Sequence, residues 1–460
     1  MKRCVEKQAN RHPAARGTRW IQGLGLAALA AALTGWLCAP RSALGVAAAL
    51  CSAALFAVWG LRFAGVWAVA WSGGQTAERP LRESAPRELW RVYGQVLLFA
   101  LLQLTAVTII LYAVRGRQTV QGVLDFWRCL DSNSYLEIAQ YGYAAEGDRA
   151  VQLVFLPGYP LAVRLFHLFI PGDYAFAGLA EASACFAGAG AALYRLMKRE
   201  HGCRAARRAV KFLCLLPGAF FFVAPMSESQ FLLLSLLCVD CSRRGKYGAA
   251  SLFGAAAAFT RTLGLVLMVP VLFDGISAWA ASPPAAGRER RRFLLSLMSV
   301  ALIPLGFGAY LLINRAVSGN ALQFLIYQRE HWSQGAGWFF NTAAYQTQYA
   351  VSSARQGSYA YLFGLWLPQL LAGAAVPVLL AAQVRRVRPS HSAYAIAYYA
   401  VAMGCTWLLS AVRYMDALLT IPEALALLAS KRGRNLRLTV LLALLAAAYM
   451  LAFVKRWQVW

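Results

Sequence analysis

Four charged residues at the ends of apolar runs mark where this chain could do chemistry. Asp131 stands in "FWRCLDSNSYLEIAQYGY", Glu228 in "APMSESQF", Arg261 in "FTRTLG", and Arg413, followed by Tyr414, in "SAVRYMD". Only 19 acids occur among 460 residues, so a carboxylate beside an apolar run stands out. Carboxylates so placed can take up or give a proton, and guanidinium groups can hold an anion through paired hydrogen bonds. Each residue also has a plainer account. Asp131 could cap a helix or meet its dipole. Glu228 could be an acid at a helix start, and a lone arginine at a span end usually only snorkels. Two acids and two arginines on one membrane face strengthen the functional account, since ionisable groups within a membrane are candidates by default.

The elements that must position these residues are membrane spans. The chain is 60% hydrophobic and 14% charged, with a mean hydropathy of +0.51. A soluble domain carries roughly 25% charged residues. Seven basic clusters, at 2–19, 79–91, 198–211, 243–246, 288–292, 385–388 and 431–437, hold two thirds of the 45 Lys and Arg. They sit in short connections beside apolar runs, which is how positive-inside bias orients a membrane protein. A nucleic-acid partner is excluded on this pattern, because such proteins gather their basic residues on one soluble face. The net charge of +26 instead suits the anionic cytoplasmic leaflet of a lipid bilayer.

Apolar runs predict about 13 transmembrane helices of a length that suits the ~30 Å hydrocarbon layer. They lie near 20–38, 43–71, 93–114, 174–196, 209–224, 227–241, 248–262, 264–281, 293–315, 359–382, 392–411, 414–430 and 436–454. With every basic cluster inside, 115–173, 225–226, 263, 316–358 and 412–413 fall outside. This requires 151–170, with Pro157, Gly158, Pro160 and Arg164, to be re-entrant or interfacial rather than spanning. If it did span, every later segment would invert. The basic lead and apolar stretch at 20–38 resemble a signal sequence, but without a cleavage pattern a retained anchor is expected. In the first outside loop, Ser134-x-x-Glu137 reads as a capping box and Gly142 as a stop. Between them Tyr135, Leu136, Ile138 and Ala139 would face the bilayer surface as an interfacial helix.

Ten cysteines give no disulfide framework, and Cys238-x-x-Cys241 on an apolar helix reads as packing. The five histidines are scattered, without zinc-ligand spacing. Three regions are expected: a tail with two extra helices at 1–92, a transmembrane catalytic module at 93–454, and a C-terminal tail at 455–460.

Several segments carry a family resemblance. "LDSNSYLEIAQYGY" followed by "LVFLPGYPLAVRL" resembles the signature of the PIG-V-type mannosyltransferases, whose eukaryotic members are GPI mannosyltransferase II. "APMSESQFLLLSL" is similar to the family's Ser-Glu-Ser segment and "AFTRTLGL" to its Thr-Arg-x-x-Gly segment. "SGNALQFLIYQREHW" resembles its Gly-x-x-x-x-Phe…Gln…Trp stretch, and "RYMDALLTIP" its late Arg-Tyr. Together these segments span about residues 90–430 in the family's order.

The resemblance implies an all-α polytopic membrane protein with a GT-C-like bundle, active as a glycosyltransferase. It implies a polyprenyl-phosphate-linked sugar as donor and a glycan, glycolipid or other extracytoplasmic acceptor. Asp131 and Glu228 are the implied catalytic acids, Asp131 as general base. Arg261, Arg413 and Tyr414 would hold the donor phosphate. Tyr135, Glu137, Tyr143, Pro157, Tyr159 and Trp332 would line the substrate cavity. No cofactor is required, because the donor is already a phosphodiester whose cleavage releases polyprenyl phosphate; a divalent cation is compatible but not indicated. The site would face the extracytoplasmic side, of the plasma membrane in a bacterium. Competing readings are a lipid-linked-sugar flippase, another polytopic transporter or a membrane scaffold. A transporter would more naturally show paired broken helices and a midplane charge, and a scaffold leaves the long outside loops unexplained.

Overall fold

The computed structural model describes residues 13–71, 83–281 and 287–460. Among these the chain is helical, with one isolated bridge between Ala336 and Cys405. It is an all-α polytopic membrane protein. Eight helical stretches among the described residues are long and apolar enough to cross a bilayer: 20–37, 43–68, 86–115, 174–201, 262–280, 288–318, 359–383 and 432–454. Part of the basic cluster at 2–19 and part of that at 79–91 lie outside the described residues.

In chain order the helices are α1 (Pro13–Leu37), α2 (Ala43–Trp71), α3 (Pro86–Arg115), α4 (Val120–Trp127), α5 (Asp131–Tyr141), α6 (Gly158–His167) and α7 (Tyr174–His201). They continue with α8 (Cys203–Cys214), α9 (Glu228–Arg243), α10 (Tyr247–Thr260), α11 (Met268–Ala281), α12 (Arg288–Met298), α13 (Leu302–Ser318) and α14 (Gln323–Trp332). After these come α15 (Phe339–Arg355), α16 (Leu367–Gln383), α17 (Pro389–Ala402), α18 (Ala411–Asp416), α19 (Thr420–Leu428) and α20 (Arg432–Val454).

Five of the spans expected from sequence, those near 209–224, 227–241, 248–262, 392–411 and 414–430, are shorter helices flanked by irregular turns. The longest, α9, has 16 residues, about 24 Å at 1.5 Å per residue. Irregular backbone at membrane depth survives only where protein satisfies its polar groups. Asp416 does this for the turn after α8, accepting the Gly218 N–H at 2.8 Å.

α7 is the axis of the bundle. Its most apolar window is 67% buried, against 28% in α3 and α20 and 6% in α1. The run "AFAGLAEASACFAGAGAAL" explains this, since small side chains let neighbouring helices approach closely. α1 and α2 brace the second long connection: Trp36 Nε1 donates to Asn341 Oδ1 at 2.9 Å, and the Phe56 and Phe339 rings lie 4.5 Å apart.

The segment expected to be re-entrant forms a single turn at Ala150–Val154 and the ten-residue α6. Ten residues reach about 15 Å, half of the ~30 Å layer, so α6 does not cross by itself. The first outside connection differs from expectation in two ways. Its helix α5 begins at Asp131, not after Ser134, and the expected capping box does not form: Glu137 instead accepts from Asn133 Nδ2 at 2.7 Å and from Gln152. Its apolar face is also not laid on the bilayer. Tyr135, Leu136, Ile138 and Ala139 are buried in protein, because α6 and α7 close over them. Gly142 does end the helix, at φ 76°.

Candidate active site

Four helix ends bring the charged residues together. Asp131 is the first residue of α5 and Glu228 the first of α9. Arg261 follows α10, where the backbone turns extended before a tight 3-10 segment, Thr262–Leu267. Gly264 makes that reversal possible, since a Cβ there would sit 2.5 Å from Ala258 Cα. Arg413 lies in the short α18, which Tyr398 secures by donating to the Tyr414 carbonyl at 2.8 Å.

Glu228 is the hub. Its Oε1 accepts from Arg261 Nη1 at 2.7 Å, from Arg413 Nη2 at 2.7 Å and from Arg413 Nε at 3.1 Å. The same Arg413 Nη2 donates to Asp131 Oδ2 at 2.8 Å. Arg261 Nη1 also donates to Ser227 Oγ at 3.0 Å, and that hydroxyl lies 3.1 Å from Tyr135 Oη. Each guanidinium is stacked on an aromatic ring, Arg261 over Tyr414 at 4.8 Å and Arg413 over Phe221 at 5.2 Å. Such stacking with paired hydrogen bonds suits arginine and not lysine.

Exposure divides the cluster. The Glu228 and Arg413 side chains are 1% and 2% exposed and Arg261 10%, but Asp131 is 35% exposed. Glu228 is sequestered by its two arginines, whereas Asp131 presents a carboxylate to open space. Asp131 makes no capping bond; at the first position of α5 its charge still meets the positive end of that helix. The residue before it, Leu130, has φ 53° and ψ −132°. A non-glycine residue in that region stores roughly 1–3 kcal/mol of strain, and such strain clusters at functional sites.

The remaining sequence candidates fall into layers around this core. Tyr135 touches it through Ser227, and its ring meets Phe155 at 5.1 Å and Tyr159 at 5.3 Å. Tyr159 is fully buried and donates to the Gly178 carbonyl at 3.0 Å, so it anchors α6 to α7. Pro157 precedes α6, and Gly158 lies against the end of α10, where a Cβ would come within 2.8 Å of Thr260 Cα. That contact sets the "LPGYP" segment beside Arg261. Tyr143 donates to the Phe155 carbonyl at 2.6 Å, and burial pushes its phenol well above the ordinary range. Trp332 meets Phe155 edge-on at 6.1 Å. Glu137 does not join the charge cluster; its partners are the two amides already named.

Sequence reasoning overlooked Ser227 and Phe221. Ser227 reads as part of a helix start, yet its hydroxyl bridges Arg261 and Tyr135 instead of capping. Phe221 is one apolar residue in an apolar run, with no local signal that a guanidinium covers it. The nine described cysteines are free, and no group of three or more His, Cys, Asp or Glu among the described residues is arranged to hold a metal.

Comparison with known proteins follows the motifs. No family model matches the chain. Over 163 residues it is 31% identical to GPI alpha-1,6-mannosyltransferase 2 of Mus musculus, and equally to that of Cricetulus griseus. The resemblance is to the PIG-V-type mannosyltransferases. The match covers 32% of this chain and 31% of each relative, so it spans about a third of these curated proteins. Among solved structures, ArnT from Cupriavidus metallidurans bound to undecaprenyl phosphate aligns with a TM-score of 0.46 and 18% identity. That alignment covers 76% of this chain and 62% of ArnT.

Proposed function

We propose that the protein is a membrane glycosyltransferase that moves a mannosyl-type residue from a polyprenyl-phosphate sugar to an extracytoplasmic acceptor. The observation that carries this reading is the unequal exposure of two acids sharing one arginine. Asp131 is open beside Arg413, while Glu228 is closed off and serves to fix both arginines. The partial match to a mannosyltransferase supports the sugar class.

The chemistry follows from these positions. The acceptor hydroxyl attacks C1 of the donor sugar as its proton passes to Asp131. The C1–O bond to the phosphate breaks, and its electron pair stays on the phosphate oxygen. A single displacement of this kind inverts the configuration at C1. Arg261 and Arg413 offer preorganised donors to the leaving phosphate. Glu228 keeps the two guanidiniums a fixed distance apart, so it is a positioning residue and not a proton carrier. The positive-inside pattern supports an extracytoplasmic side for this cluster, where a lipid-linked donor can be presented and nucleotide sugars are absent.

The test is product analysis. The protein is reconstituted in vesicles with polyprenyl-phosphate mannose and a glycolipid extract, and products are identified by mass spectrometry. The expected result is a hexose added to an acceptor together with free polyprenyl phosphate. Movement of the intact donor across the bilayer without a glycosylated product would overturn the reading in favour of a flippase.

A further inference from the structure

Leu130 lines a cavity that the charge cluster does not use. After α20 the chain turns back at Arg456, whose φ is 57°, and the Trp457 N–H bonds to the Ala452 carbonyl at 3.0 Å. This turn sets Phe453, Arg456, Trp457, Gln458, Val459 and Trp460 opposite Leu130 around roughly 160 Å3 of space.

The wall is held in place from two sides. Arg456 donates to the Phe126 carbonyl at 2.7 Å, with its guanidinium over the Phe126 ring at 4.3 Å and near the Phe453 ring at 5.9 Å. Arg456 thus ties this turn to the end of α4, just before Leu130 and Asp131. On the other side Gln458 lies on a π-helical turn, Leu362–Trp366, so closely that a Cβ on Gly364 would come 3.1 Å from its backbone nitrogen. Turns of that type recur at functional sites.

We propose that this cavity is a carbohydrate subsite, seating one sugar ring of the acceptor beside Asp131. Identifying that sugar as the acceptor's rests on the transferase reading; the subsite itself does not. Drug-sized ligands occupy pockets of ~300–1,000 Å3, so this smaller space suits a single ring. Trp457 and Trp460 supply flat apolar faces with a polar edge, which match a pyranose with one C–H face and a rim of hydroxyls. Gln458 supplies the polar recognition. Its Oε1 accepts from Trp460 Nε1 at 3.2 Å, which leaves the amide N–H groups for sugar hydroxyls. Leu130 is bonded to Asp131, so the cavity adjoins the stretch of chain that carries the candidate base.

The test uses the full chain labelled with 5-fluorotryptophan, with the resonances assigned through Trp457→Phe and Trp460→Phe. Methyl glycosides of mannose, glucose, galactose and N-acetylglucosamine are titrated in, observing fluorine-19. At least one glycoside should shift the Trp457 and Trp460 signals saturably, and Gln458→Leu should weaken that binding by about tenfold, as expected for losing a central polar contact. If none of the four moves these signals, the subsite is overturned. In transfer assays Trp457→Ala should raise acceptor KM by about tenfold with donor KM unchanged. Saturable glycoside binding without any transfer by the wild type would leave the subsite standing and refute the transferase. Transfer with unchanged acceptor KM in Trp457→Ala, and no glycoside binding, would do the reverse.

Discussion

The two ends of α9 are built from the same ingredients and do different things. At the start, Glu228 gathers Arg261 and Arg413. Twelve residues on, about 18 Å along the helix, Asp240 gathers Arg195, Arg199 and Arg244. Around that second group, Glu200 pairs with Arg243 and Arg388, and Glu423 with His201 and His391. The carboxylates there are closed: Asp240 is 1% exposed, Glu423 1%, Asp274, which lies 3.6 Å from Arg388, 3% and Glu200 13%. Of the described acids in these two groups, Asp131 is the open one. The group around Asp240 thus reads as a tie between helices, whereas the group around Glu228 also holds an accessible carboxylate.

The largest effects should come from removing either hub. Glu228→Ala and Asp240→Ala each leave buried arginines without a partner, which costs roughly 3–5 kcal/mol. Both variants should therefore melt well below the wild type in a detergent thermal-shift assay. They should part company in kinetics: Asp240→Ala, assayed where it is folded, keeps kcat, and Glu228→Ala does not. An equal loss of kcat would erase the distinction between the two ends.

Next in size are the arginines. Arg261→Ala should lower kcat/KM by roughly 10²–10³, the usual cost of one donor to a developing negative charge. Arg261→Lys should retain part of the activity, since it keeps the charge but loses the planar fork. Normal kinetics in the alanine variant would make Arg261 a snorkelling residue.

A smaller effect is expected at Gly158. Gly158→Ala drives a methyl into the backbone of Thr260, an overpacking that costs roughly 1–3 kcal/mol. It should lower the melting temperature and reduce turnover by displacing Arg261. Asp173, which pairs with Arg128 and not with the charge cluster, is the mildest case. Burial raises its carboxyl, but the Ala175 N–H, Gln121 and Arg128 together bring it below the ordinary value. A carboxyl lowered by folding stabilises above its unfolded pKa, about 3.9, and the gain is lost as pH falls through the folded value. Asp173→Ala should therefore lower stability at neutral pH, and its effect should fade as pH falls through the folded value.

The sequence made the charged members of the cluster legible because each interrupts or ends an apolar run. It could not show their pairing, as Asp131 and Arg413 are 282 positions apart. The α5 helix was only half readable. Periodicity shows which face is apolar, but not whether lipid or protein covers it, and here α6 and α7 do. Glu137 fits a local capping pattern, yet Gln152 from the next turn claims it. The shorter helices α8, α9, α10, α17 and α19 read as full spans because hydropathy reports burial and not the length of regular helix. Trp457 and Gln458 carried no signal, since their setting depends on a turn at Arg456 that no local motif announces.

The central claim is that Asp131 takes the proton while Glu228 only positions the arginines. Asp131→Asn tests this most directly, because the amide oxygen can still accept from Arg413 but the side chain can no longer serve as a base. With polyprenyl-phosphate mannose and an identified acceptor, kcat should fall by roughly 10²–10⁴, with the melting temperature and donor KM unchanged. A variant that keeps kcat within a few fold of the wild type would contradict the account.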